Sequence, residues 1–170
     1  MNKDKSSPLP AYRIGHGYDV HRFGDGDFII LGGVKIPYHH GFIAHSDGDV
    51  LIHSLCDALL GSIAAGDIGL HFPDTNDKYK NIDSSILLDQ TSQLLKQDFY
   101  SIVNIDISIV AQTPKMSPHI LAMSQHLAEV LDISIQQINI KSTTTEKLGF
   151  TGREEGIAVH SVVMVYRNKF

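Results

Sequence analysis

The sequence predicts a two-layer α/β (α+β) fold, a small sheet with helices packed on one face. Val103, Ile105, Ile107 and Ile109 alternate strictly with Asn104, Asp106 and Ser108, the period of a strand with one face buried. Residues 50–65 and 83–97 carry apolar side chains at helical spacing. Residues 157–166 are almost continuously apolar, as a strand at the centre of a sheet is. A chain of 170 residues suits one domain. It buries roughly 70% of its unfolded surface and needs no staple to hold a core.

The elements follow in order. Residues 1–11 are a polar, Pro-containing tail without the hydrophobic stretch of a secretory signal, and the fold is expected over 12–170. Residues 13–21 come next. Residues 28–38 (F-I-I-L-G-G-V-K-I-P-Y) read as a hairpin turning at Gly32-Gly33. His, Gly and Asp make 39–49 a loop. Asp49 caps a helix over 50–65, whose buried stripe is Leu51, Leu55, Ala58, Leu59 and Ile63. A second loop covers 66–80. The helix over 83–97 starts at Asp83 or Ser84 and buries Leu87, Thr91, Leu94 and Leu95. After the strand at 103–110 come a loop at 114–118, a helix at 119–131, a short strand at 138–141, a polar loop over 143–156 and the closing strand. With no repeat and no break in composition, one domain accounts for all of it, its helices on one face of the sheet.

Composition excludes several classes. With 42% hydrophobic and 19% charged residues the chain is neither disordered, collagenous nor coiled-coil. No apolar run approaches the ~18 residues that span a bilayer. A net charge of −5 argues against nucleic acid or an anionic membrane as partner. The single cysteine, Cys56, excludes an intramolecular disulfide and a thiolate zinc site and fits a reducing cytoplasm. Ten histidines against no tryptophan point to metal, because imidazole is the commonest metal ligand.

Four stretches can carry chemistry. In His16-Gly17-Tyr18-Asp19-Val20-His21, an extended backbone sets Asp19 and His21 on one side, two legs of a tetrahedral site; the alternative is a surface Asp beside a satisfied His. His53 stands one turn inside the helix that Asp49 begins, rigid enough for a third ligand, or else it is a core histidine. Asp57, four residues on, is in reach of the other ring nitrogen of His53. An Asp/His/His set leaves the fourth zinc position open, as catalysis requires. The loop 66–75 offers carboxylates to sugar hydroxyls, or simply turns on its own Asp side chains. Thr143, Thr144, Thr145 and Glu146, after a strand, can cradle phosphate oxygens and hold a hard cation, or are merely strand-favouring; no Walker A spacing is present.

Five segments together resemble the 2-C-methyl-D-erythritol 2,4-cyclodiphosphate synthase family: H-G-Y-D-V-H (16–21), A-H-S-D-G-D-V (44–50), G-D-I-G-L-H-F-P-D-T (66–75), A-Q-T-P-K-M (111–116) and T-T-T-E-K-L-G-F-T-G-R (143–153). They run in family order from about Arg13 onward. The resemblance implies a homotrimer with active sites at subunit interfaces and a Zn²⁺ on Asp19, His21 and His53. It implies that 4-diphosphocytidyl-2-C-methyl-D-erythritol 2-phosphate closes on itself, its 2-phosphate attacking the β-phosphorus and CMP leaving. His45 and Thr144 are then the expected transition-state stabilisers, near the phosphates with Ser46 and with Mg²⁺ (or Mn²⁺) on Glu146; Thr143 and Thr145 are counted among the substrate contacts. Asp67, Ile68 and Gly69 match the ribose side, and Phe72, Pro73, Asp74, Thr75 and Asn76 the methylerythritol side. Ala111, Gln112, Thr113, Pro114, Lys115, Met116 and Ser117 match the cytosine pocket. Phe150, Arg153 and Glu155 match a central cavity for an isoprenoid diphosphate, and Phe150 and Arg153 are also counted among the substrate contacts.

The residues are consistent with that chemistry. An internal phosphate nucleophile needs no base, and no Ser/His/Asp or Cys/His set is apparent. Converging phosphates need charge neutralisation, which two divalent cations supply to an acidic protein. Holding the reacting groups in line contributes about 7–11 kcal/mol in favourable intramolecular cases. Two other readings fit the residues: a zinc phosphohydrolase giving linear products, and a zinc-stabilised trimer that senses isoprenoid diphosphates around Arg153.

Overall fold

The computed structural model describes residues 11–44, 46–73 and 82–168. The elements are β1 (Tyr12–Gly24), β2 (Phe28–Leu31), β3 (Val34–Pro37), β4 (Gly41–Phe42), α1 (Val50–Ser62), α2 (Ile68–His71), α3 (Ser84–Gln97), β5 (Tyr100–Val110), α4 (Ile120–Leu131), β6 (Ile138–Thr143), α5 (Gly149–Gly152) and β7 (Gly156–Arg167). Five strands form one sheet in the order β4-β1-β7-β5-β6, and β2 and β3 form a separate hairpin. All neighbours are antiparallel except β5 and β6, which run parallel because α4 carries the chain back between them.

β7 is the central strand, between β1 and β5, as its apolar run predicts. Ile157, Val159, Val163 and Val165 join Ile105, Ile107 and Ile109 of β5 beneath the helices. α1 packs on β1 and β7, α3 on β5 and α4 on β6, so the core lies between the sheet and one helical layer. Cys56 lies inside that layer, and burial pushes its thiol up to about 12. The opposite face of the sheet is open. Tyr12, Ile14 and Val162 there are 57%, 65% and 41% exposed. Among the described residues no helix is long and apolar enough to cross a membrane.

The structure departs from the sequence reading at several points, including the short β4 inside the segment read as the loop 39–49. Val103 leaves the buried stripe of β5 because the pairing with β7 slips by one residue between Ile102 and Asn104, a bulge that turns Val103 outward. α1 stops at Ser62, three residues early, where Ala64 adopts a left-handed φ of 59°. The segments read as continuous loops hold one-turn helices, α2 started by the Asp67 side chain and α5 at Gly149. The hairpin turns at Gly32-Gly33 as expected, both with positive φ, which a two-residue turn of this twist requires.

Candidate metal centre and nucleotide half-site

Gly15, Gly17, Asp19 and His21 share one face of β1, the face toward α1. A Cβ on Gly15 would lie 1.8 Å from the Ala58 carbonyl oxygen, and one on Gly17 1.9 Å from that of Ser54. The two glycines therefore let α1 rest directly on the strand. The next two side chains on that face, Asp19 and His21, reach the N-terminal end of the helix, where His53 stands.

Asp19 Oδ2 lies 3.1 Å from His21 Nε2 and 3.4 Å from His53 Nδ1, and the two ring nitrogens are 3.3 Å apart. Ligands about 2.0–2.1 Å from a tetrahedral ion are about 3.3–3.4 Å from one another. The three atoms therefore form one face of a zinc-sized tetrahedron, with the fourth corner open. They are the only group of three or more His, Cys, Asp or Glu side chains among the described residues placed to hold a metal ion.

The remaining ring nitrogens fix both imidazoles. His21 Nδ1 lies 2.8 Å from the Gly48 carbonyl oxygen, a contact that only N–H can satisfy. His53 Nε2 lies 3.0 Å from Ser84 Oγ and 3.3 Å from Ser46 Oγ. The Ser84 hydroxyl already donates to Asp47, so His53 Nε2 is the donor. When neutral, each ring therefore carries its lone pair on the nitrogen that faces Asp19, and a proton gained there is donated to that carboxylate.

This corrects the expectation for Asp57, whose Oδ1 accepts instead from the Ile68 N–H at 2.8 Å and holds the start of α2. The helix places Asp57 near His53, but the α2 amide takes its carboxylate. Ser84 is the partner that sequence reading missed. It sits 31 residues from His53 and reads from the sequence only as a helix cap. Asp49 is no ligand: its buried carboxylate accepts from the Leu51 and Ile52 N–H groups of α1 and from those of Gly32 and Gly33, tying the hairpin to the helix.

Burial opposes ionisation of Asp19, but the hydrogen bonds from His21 and His53 outweigh it and hold the carboxyl well below its ordinary value. Burial also opposes charge on His21, and the Asp19 hydrogen bond and charge outweigh it, raising the imidazole. Burial raises Asp57. Positive charge is thus favoured beside Asp19, and proton and metal compete for the same lone pairs.

The triad opens into a cavity of about 320 Å³ whose walls include Ser46, Ile68, Gly69 and Phe72. Asp67 is exposed and spends one oxygen on the Leu70 N–H, and Pro73 is half-buried beside Phe72. His45, Asp74, Thr75 and Asn76 lie outside the described residues.

A second cavity of about 180 Å³ is formed by six of the seven residues 111–117, together with Ser142, Thr143 and Thr144. The seventh, Thr113, turns away, its Oγ1 2.6 Å from the Tyr38 hydroxyl. The Glu146 carboxylate accepts from Thr144 Oγ1 at 3.0 Å and is otherwise exposed. Glu146 and Lys147 both have positive φ, 53° and 67°, a strained pair of the kind found at ligand loops. Thr145 faces into its own loop, on the Leu148 carbonyl and Thr151 Oγ1. Phe150 and Glu155 line a third cavity of about 460 Å³ beside Val20 and Arg22, while Arg153 is held by Glu155 through contacts of 2.9 and 3.2 Å. The metal cavity and the Thr144 cavity share no residue.

The sequence profile of the YgbB family matches residues 12–166. A 2-C-methyl-D-erythritol 2,4-cyclodiphosphate synthase of Azotobacter vinelandii is 60% identical over 153 residues, 90% of this chain and 98% of its own length. That of Ectopseudomonas mendocina is 59% identical over 155 residues, 91% and 99% of the two chains. Among solved structures, the bifunctional IspDF from Campylobacter jejuni superposes with a TM-score of 0.89 at 46% identity, over 93% of this chain; the match spans 43% of that longer protein. The IspF of Plasmodium falciparum in its CDP complex gives a TM-score of 0.84 at 34% identity, covering 95% of this chain and 100% of its own.

Proposed function

The chain belongs to the YgbB family, and from that membership we propose how its residues carry out the family's reaction. It is an enzyme, a cyclodiphosphate synthase of isoprenoid precursor biosynthesis. 4-Diphosphocytidyl-2-C-methyl-D-erythritol 2-phosphate is drawn into a ring as its 2-phosphate displaces CMP from the β-phosphorus. The observation that carries this reading is the converging set of Asp19 Oδ2, His21 Nε2 and His53 Nδ1, with the fourth direction open. A Zn²⁺ on these atoms would neutralise phosphate charge and orient the reacting oxygens. Ser84 and Gly48 hold the two imidazoles in the tautomers that binding needs. Ile68, Gly69 and Phe72 shape the side of the cavity given to ribose and methylerythritol, with Asp67 and Pro73 at its edge and Asp74, Thr75 and Asn76 assigned to the same side, while Ser46 and His45 serve the phosphates, His45 with Thr144 as transition-state stabilisers.

The nucleotide end belongs to the second half-site. Residues 111–117 take the cytosine, Thr143 and Thr144 the phosphates, and Glu146 a Mg²⁺ on the diphosphate; the two Thr residues and all of residues 111–117 except Thr113 already border one cavity. Two half-sites on one chain that share no wall are completed by a second copy, and the open sheet face with Tyr12, Ile14 and Val162 gives such copies an apolar surface to meet on. We assign the assembly as a homotrimer acting in the reducing cytoplasm, with residues 12–170 as its one domain. Phe150, Arg153 and Glu155 then face a shared central cavity that takes an isoprenoid diphosphate.

The test is ³¹P NMR of the purified chain with the substrate, Zn²⁺ and Mg²⁺. CMP and a cyclic diphosphate, both lost on chelation, are expected. A linear product would show hydrolysis instead, and absence of turnover by the zinc-loaded protein would overturn the reading.

A further inference from the structure

Thr113 is the one residue of 111–117 that does not border the nucleotide cavity. Its Oγ1 lies 2.6 Å from the hydroxyl of Tyr38, 75 residues earlier in the chain. That contact joins the loop to the rigid part of the fold. Tyr38 follows β3, and its N–H donates to the Asp27 carbonyl across the hairpin at 3.1 Å. Its ring is half-buried and packs against Phe23 of β1, with centroids 5.2 Å apart. The hairpin is in turn tied to α1 through Asp49, whose carboxylate accepts from the Gly32 and Gly33 N–H groups. On the loop, Ala111 and Met116 are buried, and the Ala111 N–H donates to the Thr143 carbonyl. Gln112 Oε1 accepts from the Lys147 N–H at 3.3 Å, but Lys147 stands on an exposed loop of its own. The Tyr38 hydroxyl is therefore what sets the middle of the loop against a fixed frame. Pro114 and Lys115, the next two residues, line the cavity, so a shift at Thr113 moves the cavity wall.

We propose that Tyr38 is a positioning residue for the nucleotide: through Thr113 it holds the 111–117 loop in the shape that receives the cytosine. This role rests on the assignment of that loop to cytosine. Tyr38 acts through Thr113 and not on the reacting atoms. A loop already held in its bound shape has less ordering left to do when the nucleotide arrives, and binds it more tightly for that reason.

Tyr38→Phe keeps the ring and removes the hydroxyl, and Thr113→Val removes the other partner. Calorimetric titration of the full, zinc-loaded chain with CDP, the nucleotide in the Plasmodium falciparum complex, compares them with wild type. Each substitution should weaken CDP binding by about two- to tenfold, the usual net worth of one hydrogen bond. The double variant should lose no more than either single one, because both remove the same contact. In turnover, KM for the substrate should rise more than kcat falls, as expected when binding remote from the reacting phosphorus is lost. Zinc content should stay at the wild-type level. A merely structural bond would lower the melting temperature and leave the CDP affinity of the folded chain untouched. Wild-type affinity in both variants, or losses that add up in the double variant, would overturn the role of Tyr38 alone. A wild-type chain that binds no CDP would overturn the cytosine assignment itself, and the role of Tyr38 with it.

Discussion

The two half-sites are built by opposite means. The metal centre is made of side chains on a long strand and a long helix, each held by a second partner: His21 by Gly48, His53 by Ser84, Ser84 by Asp47. The half-site around Thr144 and Glu146 is made of an exposed loop whose shape comes from backbone, with two successive positive φ angles and threonines that bond within the loop. Rigid elements place ligand atoms to within a few tenths of an ångström, as a metal demands. A loop leaves room for a substrate that must enter, close and leave as two products.

Substitutions should separate the two accordingly. The largest effect is expected from His53→Ala, which opens the triad. Zinc retention should be lost and turnover should fall by more than about a hundredfold, since a ligand is worth at least as much as its outer partner. Elemental analysis and ³¹P NMR check this, and full zinc occupancy in the variant would remove His53 from the ligand set. Glu146→Gln should lower turnover by about a hundredfold, a loss of about 2.7 kcal/mol of charge stabilisation, and weaken the Mg²⁺ dependence. Its zinc content should stay at one per chain. An unchanged Mg²⁺ titration would take that role from Glu146.

Ser84→Ala tests the supporting layer. Zinc affinity should drop by about 10–100-fold with the fold retained, because His53 Nε2 loses its nearer acceptor and keeps only Ser46. A competition titration against a chelator reads this directly, and an affinity equal to wild type would leave Ser84 as a helix start and nothing more.

The smallest effect is one of pH on the metal-free chain. Asp19 is held below its ordinary value, so its contribution to stability is present above about pH 4 and lost as the pH falls further. His21 is raised, so its contribution is fully present below about pH 6.5 and lost as the pH rises through the raised value. The metal-free protein should therefore lose stability as the pH rises above about 6.5, while zinc stabilisation grows as His21 gives up its proton. Melting curves with chelator and with Zn²⁺ should diverge; parallel curves would contradict the geometry of the triad.

Much of this was legible in the sequence, for unequal reasons. The period of β5, the apolar run of β7 and the helical stripe of α1 are local signals, and the structure reproduces them. Asp19 and His21 are two apart on a strand, so their common side follows from the pleat. That His53 joins them depends on α1 lying against β1, and Gly15 and Gly17 mark that approach only once the helix is seen resting on them. Ser84 was invisible as a partner because its contact crosses 31 residues and its own sequence context explains it as a cap. The Val103 bulge depends on pairing with β7, and the choice of Ile68 over His53 by Asp57 depends on where α2 folds back; neither leaves a trace in local spacing.

On the proposed reading, one active site takes its metal half from one copy and its nucleotide half from another. Mixing settles it most directly. His53→Ala chains keep an intact Glu146 loop, and Glu146→Gln chains keep an intact triad, so each is nearly inactive alone. After exchange of chains, verified by native mass spectrometry, mixed assemblies should contain wild-type sites and turnover should return well above that of either parent. If the chains exchange and activity stays at the parental level, the two halves work within one chain and the shared site is wrong.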